Sequence, residues 1–349
     1  MTPEQTTLEN LRDPVHDPGV REARRRGDLA ADAPPTPMRV GGGQLRIGTA
    51  SWTDPTLTEA GVFYPDGRSS AEERLRYYAE RFSLVEVDST YYALPARRMA
   101  ELWVERTPDD FRFNVKAHAL MTGQPSEVSR LPRSLRDALP AELREKKRIY
   151  GTDLPAELAD EVWRLFRDAL EPLRAAGKLG AVLVQYPRWF MPNRENSDAI
   201  LEARERLAPL PVAIEVRNGR WLASEDRADR FVKWLARHDL SYVVVDQPQG
   251  LDSSVPPISV VASPRLAVVR FHGRRTETWE RPEVGVLERF RYLYDERELS
   301  EWVPRIADLA ARAAETHVIM NNCYANYGTT NAAEFAQIFQ SVTGATLLE

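Results

Sequence analysis

From Gln44 onward, short apolar runs alternate with longer stretches in which large hydrophobic residues recur every three or four positions. The short runs read as buried strands, and the wider spacing as helices with one apolar face. Strands are predicted at Leu45–Thr49, Leu84–Asp88, Phe111–Ala117, Gly180–Gln185, Val212–Arg217, Ser241–Asp246, Leu266–His272 and His317–Asn321. Helices are predicted at Ser69–Phe82, Ala96–Arg106, Pro155–Ala176, Arg194–Leu207, Glu225–His238, Arg297–Thr316 and Thr330–Ser341. Ser70 and Thr330 stand where caps belong, and Pro172 should bend or end the helix that contains it. Strands joined through helices imply parallel pairing by βα units. Eight such units over about 300 residues fit an α/β fold, the (β/α)8 TIM-like barrel. An open doubly wound sheet is the alternative, disfavoured because no strand runs into a glycine-rich dinucleotide fingerprint.

Two stretches break the alternation. Residues 1–43 carry Pro3, Pro14, Pro18, Pro34, Pro35 and Pro37, then Gly41, Gly42 and Gly43. They hold few large apolar residues and a basic cluster, Arg21 with Arg24, Arg25 and Arg26. Such a composition buries too little surface to offset its ordering entropy. A disordered, solvated leader with room for one short helix is therefore expected ahead of a single domain at 44–349. The second stretch, 118–153, carries Pro125, Pro132, Pro140 and the charged segment Glu142–Arg148. Its length marks it as a functional loop or small subdomain inserted after the third strand.

The strand-like runs also hold polar groups that a strand buried on both faces tolerates only when they are paired or used. In L-A-V-V-R-F-H-G-R at Leu266–Arg274, Arg270 and His272 interrupt an apolar run. The same happens at Asn114 and Lys116, Glu215 and Arg217, Asp246, and Asn321 with Asn322. In a barrel of parallel strands, sites form at the carboxyl ends. Those ends give His272, Glu215, Lys116 and Asp88 as catalytic candidates. They give Arg217, Arg270, Asn321, Asn322, Trp52, Tyr92, Gln185 and Asp246 as substrate-binding candidates. His272 is the best acid/base candidate, because imidazole titrates near neutrality. Period-two spacing puts Lys116 with His118, Glu215 with Arg217, and Arg270 with His272 on common faces. For each charged pair, a structural salt bridge at the strand ends is an equal alternative.

Composition narrows the classes. Of 349 residues, 43% are hydrophobic and 28% charged, ordinary for a soluble globular protein. The net charge of -5 argues against a general nucleic-acid binder but leaves room for a local basic cleft. A single cysteine, Cys323, excludes an intrachain disulfide and a four-cysteine zinc site, and reads as a packed thiol. Glu215, Asp246, His118 and His272 could offer metal ligands, but no H-x-H or H-E-x-x-H cluster gathers them. No metal site and no cofactor are assigned, with a divalent metal left open. Phosphate-loop and nucleophile-elbow patterns are missing. No run approaches a membrane span and no secretory signal opens the chain, so a cytoplasmic protein without a membrane partner is expected.

An ordered set of motifs at the strand ends resembles a known family. The motifs are I-G-T-A-S-W (Ile47–Trp52), F-Y-P (Phe63–Pro65), V-E-V-D-S-T-Y-Y-A-L-P (Val85–Pro95), P-D-D-F-R-F-N-V-K-A (Pro108–Ala117), V-L-V-Q-Y-P (Val182–Pro187), A-I-E-V-R-N-G-R-W (Ala213–Trp221), V-V-R-F-H-G-R (Val268–Arg274) and M-N-N (Met320–Asn322). Together they resemble the YecE-like family, domain of unknown function 72, over roughly Gln44–Val342. The resemblance implies a TIM-like barrel with a distant kinship to sugar-isomerase-type barrels, and it implies no established activity. Glu215, Arg217, Lys116, Arg270, His272 and Asn321 match the family pattern. Asp88 stands where the family usually has asparagine, Asn218 and Gly219 where it often has His-Pro, and Gly123 after Thr122 where a histidine is usual.

The leading expectation is an enzyme for a polar, anionic small molecule, a phosphorylated or carboxylated sugar-like compound. Lys116, Arg217 and Arg270 would hold the anion, His272 or Asp88 would move a proton, and Glu215 would orient an arginine or act as base. The alternatives are a nucleic-acid-processing barrel with a basic track through Arg144, Lys146, Lys147 and Arg148, and a non-catalytic binding or scaffold protein.

Overall fold

The predicted alternation folds as a (β/α)8 TIM-like barrel in a computed structural model that describes residues 17–30, 37–65, 68, 70–281 and 284–348. The barrel strands are β1 Gly43–Ala50, β2 Leu84–Val87, β3 Arg112–Lys116, β4 Leu179–Tyr186, β5 Val212–Val216, β6 Ser241–Asp246, β7 Leu266–Phe271 and β8 Glu315–Met320. The principal helices are α1 Pro18–Leu29, α2 Ala71–Ala79, α3 Arg97–Glu105, α4 Ala156–Ala175, α5 Arg194–Leu207, α6 Glu225–Arg237, α7 Val303–Arg312 and α8 Tyr327–Thr343. Every residue of β5, β6 and β7 is buried, as parallel strands covered on both faces require.

The chain divides into two compact units, Met1–Glu86 with Ser241–Glu349, and Val87–Leu240. In the first, β1 pairs in parallel with β2 and β8, β8 with β7, and β7 with β6. The register sets Asp246, Phe271 and Met320 side by side. The next residues, Gln247, His272 and Asn321, therefore leave their strands at one level. Gly48 allows the β1–β2 contact, because a methyl group there would lie 1.9 Å from the Leu84 carbonyl oxygen. The Tyr78 hydroxyl, from α2, ties the same place by donating to that carbonyl at 3.0 Å and accepting from the Thr49 amide at 2.9 Å. Ser70 caps α2 as expected, in a capping box with Glu73.

Several boundaries differ from the sequence expectation. The short helix allowed for in 1–43 is α1, capped by Asp17 and packed on α8, while the leader expected at 1–16 and 31–36 lies outside the described residues. Arg26 pairs with Glu334 at 2.6 Å, and the Thr330 hydroxyl donates to the Ala23 carbonyl at 2.9 Å. Met38–Val40 adds an antiparallel strand between β1 and Thr346–Leu347. Composition could not reveal this order, since Arg26 and Glu334 lie 308 residues apart. Thr330 is thus no cap; α8 starts at Tyr327. The helix expected at Arg297–Thr316 splits into Glu296–Ser300 and α7, with Pro304 in the first turn of α7. Thr316 belongs to β8. Pro172 neither ends nor isolates its helix: α4 continues to Ala175, and Arg97 donates at 3.5 Å to the Asp168 carbonyl that the proline leaves without its usual donor.

In the second unit, β4 pairs in parallel with β3 and β5. The 118–153 insert forms a small subdomain with short helices at Arg133–Ala138 and Ala141–Arg144 and an antiparallel pair, Ser126–Glu127 with Arg148–Ile149. Leu131, Leu135, Leu139, Leu143 and Ile149 fill its core.

Candidate functional site

The strand ends of the first unit carry a chain of four side chains. Glu86 on β2 and Arg270 on β7 are 0% and 1% exposed and form a bidentate pair, with Nε–Oε2 at 2.9 Å and Nη2–Oε1 at 2.6 Å. Arg270 Nη2 also donates to Asn321 Oδ1 at 3.2 Å, and Asn321 Nδ2 lies 2.8 Å from His272 Nδ1. A guanidinium only donates, so Asn321 must present its oxygen to Arg270 and its amide hydrogens to His272. Nδ1 therefore accepts, and the neutral ring carries its hydrogen on Nε2. Glu86 thus acts on the tautomer of His272 through two intervening residues. Glu86 was not among the candidates read from the strand ends. The signal was present, a glutamate inside L-V-E-V-D, but it sat one residue behind the end that drew attention to Asp88.

Asp246, expected to bind substrate, is fully engaged by protein. It accepts from Arg274 Nη2 at 2.7 Å and Nε at 3.0 and 3.1 Å, from Tyr294 Oη at 2.7 Å and from Trp302 Nε1 at 2.7 Å. Burial pushes the Tyr294 hydroxyl well above its ordinary value, and the neighbouring Asp246 charge raises it further, so it stays a donor. Burial works to lower the Arg274 guanidinium, but the bonds and charge of Asp246 hold it above its ordinary value. Gly273, at a φ of +87°, ends β7 and passes under Tyr292, whose Cβ would lie 2.6 Å from an added methyl group. Asn322 donates its amide hydrogens to the Tyr292 carbonyl at 2.9 Å and to Asn331 Oδ1 at 2.8 Å, while its buried Oδ1 meets no donor among the described residues. Trp52 is buried, its carbonyl accepting from the Tyr64 hydroxyl at 2.5 Å. Cys323 packs with Sγ 2.8 Å from the Ala50 carbonyl oxygen.

The second unit gathers a cluster of its own residues at the ends of β3, β4 and β5. Glu215 is wholly buried, and its Oε1 accepts from Gln185 Nε2 at 2.6 Å and from Arg217 Nη1 at 3.0 Å. Gln124 of the insert donates to the Gln185 carbonyl at 3.2 Å and accepts from the Tyr91 hydroxyl at 2.8 Å. Lys116 places its ammonium 4.6 Å from the centre of the Tyr91 ring, a cation–π contact. Gln185, Glu215 and Arg217 thus touch one another, and Lys116 is linked to them through Tyr91 and Gln124, which the sequence reading did not select. Asp88 is half-buried before the turn Ser89–Tyr91 and makes no cap bond to it. Tyr92 is 45% exposed, edge-on to Tyr91 and 5.7 Å from the Arg130 guanidinium.

His118 does not join Lys116 at a common face. It caps the first turn of the insert, with Nδ1 3.4 Å from the Leu120 amide and Nε2 3.4 Å from the Ser126 hydroxyl. Burial pushes its imidazole down to about 4, against a hydrogen bond with the Tyr92 backbone. The unfolded imidazole titrates near 6.5. Between those values the unfolded chain takes up a proton that the folded chain refuses. Stability should therefore fall as pH drops through that window, by about 3 kcal/mol once it is crossed. In urea titrations at pH 7 and at pH near 4, His118→Gln should lose less stability on acidification than the parent; equal losses would exclude His118 as the cause.

Among the described residues, no three histidine, cysteine, aspartate or glutamate side chains assemble in a metal-holding group. No described helix is long and apolar enough to cross a membrane.

The model of the family described as "Protein of unknown function DUF72" matches residues 46–347. The UPF0759 protein YunF of Bacillus subtilis is 27% identical over 281 residues, which is 80% of this chain and 88% of that protein. A crystal structure of a DUF72 family protein from Thermotoga maritima superposes with a TM-score of 0.66 at 27% identity, covering 85% of this chain and 99% of that one. Another, from Enterococcus faecalis, gives 0.65 at 26% identity, covering 86% and 95%. The ordered motifs read from the strand ends fall inside the matched region.

Proposed function

The chain belongs to the DUF72 family of unknown function, and from that premise we propose that it is an enzyme acting on a small, anionic, sugar-like molecule, phosphorylated or carboxylated. The observation that carries this is Arg217 paired with the buried carboxylate of Glu215, with Lys116 linked to them through Tyr91, Gln124 and Gln185. A buried carboxylate is costly unless charges and hydrogen bonds compensate it. Gln185 and Arg217 do so, and Glu215 in turn holds Arg217 at the strand end, where barrel enzymes bind substrate. Lys116 and Arg217 would receive the anionic group. Proton transfer is the proposed reaction class, with Glu215, which holds Arg217, serving as the base.

A thermal-shift series with sugar phosphates, sugar acids and the matching neutral sugars tests this. An anionic ligand at about 100 times its dissociation constant should stabilise the protein by about 2.7 kcal/mol. Lys116→Ala with Arg217→Ala should remove that stabilisation while the free protein still melts cooperatively. Equal stabilisation of parent and double variant would sink the assignment.

A second reading, single-stranded nucleic-acid binding, is favoured by one feature of the second unit. A groove of about 990 Å³ runs along α6. Arg227, Arg230, Trp234 and Arg237 recur along one helical stripe, and Arg220 joins them at the groove. Cations with an aromatic platform suit a phosphate backbone and stacked bases. Of the track expected at Arg144, Lys146, Lys147 and Arg148, two members have local partners: Arg144 donates to the Asp137 and Leu139 carbonyls, each at 2.9 Å, and Arg148 pairs with Glu127 at 3.4 Å. Binding of a single-stranded oligonucleotide should weaken steeply with salt and with Arg230→Glu plus Arg237→Glu; salt-independent binding would exclude it.

A further inference from the structure

The first unit holds a small cavity of about 250 Å³ where β6 and β7 end, lined among others by Gln247, Pro257, Arg274, Trp302 and Arg305. It is smaller than most sites for drug-sized ligands, which limits an occupant to a few carbons. The cavity uses none of the residues assigned above to anion binding at Lys116 and Arg217.

Two features point to a ligand. The first is Gln247, 2% exposed. Its Nε2 donates to the Ser253 carbonyl at 3.3 Å. A carbonyl only accepts, so the amide orientation is settled by this bond. Oε1 then faces no donor among the described residues, although it is buried. A buried acceptor left unmade is costly, and native structures seldom leave one so.

The second is Arg305, in the first turn of α7. Its guanidinium lies 5.1 Å from the centre of the Trp302 ring, and no carboxylate among the described residues pairs with it. The two acidic side chains that line the cavity are already engaged. Asp246 is bound by Arg274, Tyr294 and Trp302, and Glu301 accepts from Arg274 Nη1 at 3.1 Å. Trp302 occupies the cap position of α7 without a side-chain cap bond. The positive end of that helix therefore adds to the charge of Arg305.

The loop that forms the remaining wall is braced by itself. Gln249 Nε2 donates to the carbonyls of Gln247 and Val255 at 2.9 and 3.1 Å, and the Ser254 hydroxyl donates to the Pro248 carbonyl at 2.9 Å. Its shape does not wait for an occupant, which reduces the ordering cost of binding.

We propose that this cavity binds a small hydroxylated anion, a three- or four-carbon phosphate or carboxylate. The anionic group sits against Arg305 at the start of α7, and a hydroxyl donates to Gln247 Oε1. The proposal shares no residue with the Lys116–Arg217 cluster and does not depend on the activity proposed there.

The test uses the full chain, with glycerol 3-phosphate as probe and inorganic phosphate and glycerol as comparison arms. Titration is followed by calorimetry and by the indole N–H resonance of Trp302. Glycerol 3-phosphate should bind saturably and shift that resonance. Arg305→Ala should weaken binding about tenfold or more, the loss of one charge-assisted contact. Gln247→Leu should weaken glycerol 3-phosphate but leave inorganic phosphate unchanged, because only the former carries an alcohol hydroxyl that reaches beyond the anionic group. The Lys116→Ala, Arg217→Ala double variant should keep the Trp302 shift, which separates this site from the other cluster. The proposal is overturned if Arg305→Ala binds like the parent, if Gln247→Leu affects both anions equally, or if the shift vanishes only in the Lys116–Arg217 double variant. Failure to saturate in every arm overturns it too.

Discussion

Glu86→Ala should destabilise the protein by about 3–5 kcal/mol, a large fraction of what a domain of this kind possesses. The carboxylate is wholly buried and grips Arg270 through two bonds of 2.9 and 2.6 Å. Its removal leaves a guanidinium that is 1% exposed without its bidentate carboxylate. The cost arises from the charge left behind rather than from the worth of the pair. The double substitution Glu86→Leu with Arg270→Met should therefore recover much of the loss, since well-packed apolar groups often replace a buried pair at little cost. Urea denaturation of parent, single and double variants measures this. A double variant as unstable as Glu86→Ala would mean that the pair stabilises in its own right. The same variants probe His272: without Arg270 the Asn321 amide is free to turn its oxygen toward the ring, and the imidazole nitrogen resonances should report a change in the Nδ1–H fraction.

Asp246→Ala should cost about 4 kcal/mol or more, because it strands the Tyr294 hydroxyl, the Trp302 indole N–H and part of the Arg274 guanidinium in a buried place. Asp246→Asn should fall between alanine and the parent. An amide keeps one accepting oxygen but turns an N–H₂ toward groups that themselves donate. This separates an anchor from a catalytic base. A base replaced by its amide would lose turnover while the fold kept its stability; an anchor replaced by its amide loses stability first. Melting and urea midpoints of both variants decide it, and a parent-like Asp246→Asn would return Asp246 to the list of groups that work on substrate.

Much of the site was legible as residue types and little of it as partnerships. Lys116, Glu215, Arg217, Arg270, His272 and Asn321 stood out because each interrupts an apolar run, and strand periodicity says which of them leave a strand together. Partner choice follows from register between strands far apart in the chain. Arg270 and Glu86 lie 184 residues apart, and nothing local to either names the other. The bond from Arg270 to Asn321 then decides which nitrogen of His272 carries hydrogen, a property set through Asn321 and Glu86, both outside its own strand. His118 failed as a companion of Lys116 for a similar reason: spacing of two predicts a common face only while the strand continues, and β3 stops at Lys116.

By itself, the sequence determined the eight-strand alternation, the barrel class, the place of the insert and the strand-end residue types. These follow from local periodicity, capping and the cost of polar groups in apolar runs, all of which act over a few residues. Only the tertiary structure decided that Asp246 is gripped by Arg274, Tyr294 and Trp302, that Glu86 belongs to the His272 chain, that α1 packs on α8, and that Gln247 keeps an unanswered acceptor at the cavity Arg305 also lines. Those outcomes depend on which distant groups meet in a water-poor interior. There a hydrogen bond made or missed is worth kilocalories, and composition carries no record of it.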